Sequence, residues 1–191
     1  MIEIILIGLA IIVIAFILWF VLTYNSLISS EKKVENAWAQ IDVQLKRRAD
    51  LIPNLIETVK GYAKFEGKVL TDVTKARTSI LSAKSPRDAA KGEQMLEGAL
   101  KSIFAVAEAY PSLKANENFK ALQEELSSTE NKVSFARQFY NDMVMHWNTI
   151  ILQFPTKIVA DATGRNKSKD FFEAQASERK NVKVDFSDLS K

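Results

Sequence analysis

The chain has 191 residues and no cysteine. That excludes a disulfide framework, a thiolate metal site and a cysteine nucleophile, and it leaves the compartment open. There is one histidine, His146. It has no cysteine partner and no HExxH spacing, and it stands beside Trp147 in a helical pattern, so it reads as a half-exposed helix residue rather than a zinc ligand. There is no glycine-rich phosphate loop and no GxSxG elbow. With only 6 glycines and 4 prolines, long helices are favoured over a turn-rich β fold. Net charge is a mere +3, because 26 basic residues face 23 acidic ones. That is not the balance of a nucleic-acid-binding chain, although it leaves room for a weak attraction to anionic lipid.

What is present is apolar. Hydrophobic residues make up 47% and charged residues 26%, too apolar for disorder and enough to bury one core. The longest apolar run is IILIGLAIIVIAFILWFVL, residues 4–22, without a charge. At 1.5 Å per residue it reaches roughly 30 Å, the hydrocarbon thickness of a bilayer. Glu3 sits at its outer edge, and Trp19, Phe20 and Tyr24 form an interfacial aromatic belt at the other. A cleaved signal peptide fits less well: there is no basic leader, the run is too long, and no small-x-small site follows. All faces are equally apolar, unlike a buried soluble helix. Lys32 and Lys33 follow the span and no base precedes it. The positive-inside rule then puts the N-terminus outside and the large domain in the cytoplasm. The expected organisation is an anchor over residues 1–23, a helical bundle over 24–160, and a tail over 161–191 packed on the bundle.

From Val34 the apolar positions advance by alternating steps of four and three. The series is Val34, Trp38, Ile41, Leu45, Arg48, Ile52, Leu55, Val59, Tyr62, Glu66, Val69, Val73, Ala76 and Ile80, broken only by Arg48 and Glu66. A sustained 3.5-residue period is the seam of a left-handed helical bundle. Leu51, Ile56, Ala63 and Leu70 widen the stripe toward a second partner helix. No breaker separates Tyr24 from Val34, so the membrane helix is expected to run on into this one. Pro53 should kink it without ending it, since the seam keeps its phase. The first stop is at residues 82–86, where Ser85, Pro86 and Asp88 make an N-cap, N1 and N3 signature. A second helix is expected over 86–110, stopped by Pro111, and a third over 115–154, stopped by Pro155. The third carries the stripe Phe119, Leu122, Leu126, Thr129, Val133, Ala136, Tyr140, Val144, Trp147, Ile151 and Phe154. Short connections make such helices antiparallel neighbours. Beyond them, residues 164–170 read as a polar loop, Phe171 and Phe172 as pins for a short tail, and residues 182–186 as an extended tail. The fold class is thus all-α, a transmembrane helix continuing into a long antiparallel bundle.

No catalytic constellation emerges and no cofactor is implied. Di-iron bundles pair Glu with Glu-x-x-His on facing helices; Glu57 and Glu66 are present, but the second motif is not. Charges within a seam usually set register or reach out to solvent, and polar groups such as Glu130 or Asn131 would suit Arg48 and Glu66 as partners. Lys46, Arg47 and Arg48 would stand some 35 Å beyond the membrane on a straight helix, out of range of its surface charge. The candidate contacts for bundle packing or self-association are Trp38, Ile41, Leu45, Arg48, Pro53, Tyr62, Glu66, Tyr140 and Trp147. Those for the membrane interface are Trp19, Phe20, Tyr24, Lys32 and Lys33.

In this order of features the chain resembles the LemA family of bacterial membrane proteins. The likeness runs from Tyr24-Asn25-Ser26-Leu27 through Trp38, Gln40, Asp42, Gln44, Lys46-Arg47-Arg48, Asp50 and Pro53-Asn54-Leu55. It continues in Glu57, Lys60-Gly61-Tyr62-Ala63, Tyr110-Pro111, Asn118-Phe119, Thr129-Glu130-Asn131, Tyr140-Asn141 and Phe154-Pro155. Phe65 stands where the family often has histidine, and Trp147 where it usually has tyrosine, so no histidine role carries over. The resemblance implies an anchored helical bundle in the bacterial inner membrane without established enzymatic activity. It also implies kinship with proteins that shape magnetosome membranes, and company with membrane proteases and envelope-stress components. Two functions compete. One is a scaffold that self-associates through its bundle, with membrane lipids and its own copies as partners. The other is an adaptor presenting partners or substrates to a membrane protease. Nucleic acid is not an expected partner of either.

Overall fold

A computed structural model describes residues 1–61 and 67–172. The described elements are all helical: α1 (Ile2–Lys60), α2 (Gly67–Leu81), α3 (Pro86–Glu108), α4 (Pro111–Lys114), α5 (Glu117–Ile150) and α6 (Thr156–Ala162). The extended tail expected at 182–186 lies outside the described residues. The chain divides into two compact units, one of Met1–Arg47 with Ser127–Phe171, the other chiefly Arg48–Leu126.

In the first unit α1 runs without a break from the apolar segment into the seam, in line with the lack of any Gly or Pro between Leu22 and Val34. The seam begins earlier than Val34, at Leu27 and Ser30, and continues through Val34, Ala37, Ile41 and Leu45, all buried. Opposite it α5 buries Val133, Tyr140, Val144 and Trp147, and Ile151 is buried just past its end. Each such large apolar side chain stabilises the fold by about 1.5–3 kcal/mol relative to exposure. The Trp38 and Tyr140 rings meet edge-on at 5.8 Å.

In the second unit the long seam is folded back on itself. α1 ends at Lys60 with Gly61 in a turn, and the helix does not continue to Ile80. Arg77 Nε donates to the Ala49 carbonyl at 3.0 Å. In one straight helix those residues would lie about 42 Å apart, so α2 returns antiparallel along the end of α1. The stop signals are Gly61 and Gly67, each roughly 1 kcal/mol poorer than alanine in a helix, beside the seam break at Glu66. Pro53 is accommodated inside α1, as its unbroken phase suggests. The proline has no N–H for the carbonyl four residues back, which is that of Ala49; the Arg77 guanidinium supplies the missing donor.

α3 opens as its sequence indicates: the Ser85 hydroxyl accepts from Asp88 N at 3.1 Å and donates to the Asp88 carboxylate at 2.7 Å. Gly92 lets α3 press against α2, for a Cβ there would come 2.9 Å from Ile80 N. Asn116 caps α5 by accepting from Phe119 N. α5 ends at Ile150, short of residue 154, and Phe154 is 83% exposed rather than the last member of the buried stripe. A short helix, α6, follows Pro155 and precedes the polar loop expected at 164–170. Phe172 is buried as a pin, whereas Phe171 is 45% exposed.

Candidate functional site

The residues expected at a membrane interface lie at the end of the apolar segment of α1 and in the turns that follow it. Trp19 and Phe20 are half-buried, and Trp19 leans on Phe16 with ring centres 5.5 Å apart. Tyr24 lies under the Arg165 guanidinium, 5.3 Å from its ring centre. Lys33 is exposed. Lys32 is exposed as well and pairs with Glu35 at 2.6 Å; that hydrogen bond raises the lysine pKa and lowers the carboxyl's.

Arg165 belongs to a strap, residues 163–170, that binds both helices of this unit. Asn148 on α5 holds Lys169 through two backbone bonds, accepting from its N–H at 2.8 Å and donating to its carbonyl at 3.0 Å. Trp147 Nε1 donates to the Lys167 carbonyl and Tyr140 Oη to that of Asp170, each at 2.9 Å. Burial, with the Asp170 charge in support, pushes the Tyr140 hydroxyl up from its ordinary pKa, which keeps it a donor. On α1, Glu31 meets Lys169 at 3.3 Å and Arg165 at 3.5 Å. Sequence reading singled out Tyr140 and Trp147 as packing residues only. It missed Glu31, Asn148, Arg165 and Lys169, which carry no local pattern because the partners that join them across the unit by hydrogen bond or ion pair are 21 to 138 residues away.

A groove of about 560 Å³ opens between α1 and α5 on the same unit. Asn36, Gln40 and Gln44 contribute carboxamides, Phe135 and Phe139 the apolar wall, and Lys132 the one charge. Phe135 is 73% exposed, Phe139 42% and Val43 60%. Sequence reading missed this face too, although an aromatic pair four residues apart and off the main stripe is its signal. Ile41 and Leu45, expected as contacts for bundle packing or self-association, are buried in the core.

In the second unit Arg48 is buried and lies 3.7 Å from Glu93 on α3, itself buried. The seam charge therefore has an acidic partner on α3, a helix the sequence did not nominate. Pro53 is exposed on α1, and Tyr62 and Glu66 lie outside the described residues. Among the described residues no cluster of three His, Asp or Glu side chains is placed to hold a metal ion. The chemistry on offer is recognition by aromatic surface, carboxamide and exposed base.

Comparison with known proteins agrees with this architecture. Residues 37–186 match the LemA family. The chain is 29% identical to Protein LemA of Metamycoplasma hominis, over 91% of this chain and 84% of that protein. It is 22% identical to Magnetosome protein MamQ 2 of Paramagnetospirillum magneticum, over 87% and 71% of the two chains. It is 20% identical to Magnetosome protein MamQ of Magnetospirillum gryphiswaldense, over 86% and 70%. With a match across most of its length and a helical bundle behind one long apolar helix, the chain belongs to the LemA family.

Proposed function

We propose that this protein is a non-enzymatic scaffold of the bacterial inner membrane, whose copies associate through their helical bundles and so organise or shape the bilayer. α1 is the described helix long and apolar enough to cross a membrane. In this reading it is a single-pass anchor with its N-terminus outside and the bundle in the cytoplasm. The observation that carries self-association is the open groove with Phe135 and Phe139 at its wall. Exposed aromatics of this kind are the usual anchors of protein interfaces. Copies held by one span share orientation and height, so the groove of one is level with that of its neighbour. Confinement to a plane raises their effective concentration. The carboxamides each donate and accept, which suits them to meet their own kind across a two-fold axis. Kinship with proteins named for the magnetosome supports a role in membrane organisation.

The test is the mass of the full-length chain in mild detergent and in lipid. The parent should form a discrete multimer, and Phe135→Glu with Phe139→Glu should reduce it to monomer while keeping its helix content. A monomeric parent, or an assembly indifferent to both substitutions, would remove the scaffold reading. A stable heteromeric complex with little self-assembly would favour the adaptor.

A further inference from the structure

The corner between α5 and α6 exposes more apolar surface than a soluble turn needs. Leu152 is 65% exposed, Phe154 83% and Ile158 52%. Grouped large apolar side chains mark a contact surface more often than isolated ones do. The height of this corner follows from the register of the two helices. Trp38 faces Tyr140. A step of about 15 Å, at 1.5 Å per residue, carries the antiparallel α5 from Tyr140 to its end at Ile150 and α1 from Trp38 to Ile28. The corner, residues 151–155, therefore begins about level with Ile28, at the end of this unit where α1 leads back through Tyr24 to the apolar segment. The strap gives the same answer independently, since Arg165, just after α6, lies over the Tyr24 ring.

The charge around the corner is that of a lipid-facing surface. Lys157 and Lys167 are exposed. The one acid on α6, Asp161, is paired with Lys157 at 3.1 Å and accepts from Asn166 at 3.0 Å. Those two bonds, Asn166 first, hold its pKa below the usual carboxylate value. Glu31, the nearby acid on α1, is neutralised by Arg165 and Lys169. An apolar tip ringed by lysine stems is how interfacial segments enter the headgroup–acyl boundary, lysines reaching back to phosphate.

We propose that the α5–α6 corner is a second membrane contact: Leu152, Phe154 and Ile158 enter the bilayer that α1 crosses, and Lys157 and Lys167 meet its anionic headgroups. The occupant is lipid because the covalent span brings a bilayer to this height in every copy, before any partner arrives. Held at two places, this unit is fixed in tilt and does not swivel about Tyr24. The inference rests on reading residues 4–22 as a span, and the experiment separates the two.

The chain has no cysteine, so single labels are simple to place. Full-length protein carrying Ile12→Cys, Phe154→Cys, Ile158→Cys or Asp42→Cys is spin-labelled and reconstituted in phosphatidylcholine–phosphatidylglycerol vesicles. Helix content of each is checked by circular dichroism. Collision with oxygen, which concentrates in lipid, is compared with collision with an aqueous nickel chelate. Labels at 12, 154 and 158 should meet nickel several-fold less often than the label at 42. Labels at 154 and 158 as open to nickel as that at 42, with 12 shielded, would overturn the second contact alone. Nickel access at 12 would overturn the span and the contact together. Shielding at 154 with dipolar broadening that disappears on dilution with unlabelled chain would assign the corner to a second copy, against the proposal.

Discussion

Two buried polar contacts make opposite demands on single residues. Arg48 and Glu93 are almost fully withdrawn from water at 3.7 Å. Removing one partner strands a charge in a low-dielectric site, a loss of about 3–5 kcal/mol, whereas a well-packed apolar pair in place of both is near neutral. Arg48→Met should therefore lower the thermal midpoint of the helical signal sharply, and Glu93→Leu added to it should recover much of the loss. Tyr140 behaves differently, because its proton is what it contributes. Its folded pKa is raised above the unfolded value of about 10. The stabilisation from its bond to Asp170 is whole below that pH and is lost as the pH climbs through the folded value. Tyr140→Phe should cost about 0.5–1.5 kcal/mol near neutrality. The gap between parent and variant should close in alkali; a gap constant from pH 7 to 11 would argue against the bond.

At the scale of helices, α1 shows how far pattern reading reaches. Its continuity through Tyr24 and Val34, its buried seam and its survival of Pro53 follow from periodicity and the absence of breakers. Its end at Lys60 does not, because a heptad phase persists through a hairpin whose two arms share one core, and only Gly61, Glu66 and Gly67 mark the fold-back. The cap at Ser85 is local chemistry and was legible; the strap was not, since the Asn148 and Glu31 contacts join distant segments. The hairpin yields its own prediction. Arg77 serves the carbonyl that Pro53 leaves without a donor, so Arg77→Ala should destabilise by about 1–3 kcal/mol. In a Pro53→Ala background the helix supplies its own N–H, and the same substitution should cost much less. A double-mutant cycle with no coupling would reject this account. The candidate site was half legible for the same reason: Trp38, Tyr140 and Trp147 announce themselves by stripe, whereas Phe135 and Phe139 lie off it.

For the whole molecule, the functional expectations come to two quantities, copies per assembly and points of attachment per copy. The mass of the groove variants reports the first and the depth of labels at the α5–α6 corner reports the second, and neither presumes the other. The first unit is also discontinuous in the chain, Met1–Arg47 being completed only by Ser127–Phe171. That has a consequence for biosynthesis. The N-terminal helix leaves the ribosome first, while its seam at Leu27, Val34, Ile41 and Leu45 has no cover until α5 is translated. At bacterial rates of roughly 5–20 residues per second the delay is on the order of ten seconds. Throughout it, a nascent chain already lodged in the bilayer displays a sticky stripe beside other nascent chains, and a chaperone or a neighbour made on the same polysome can reach it before its own α5 does.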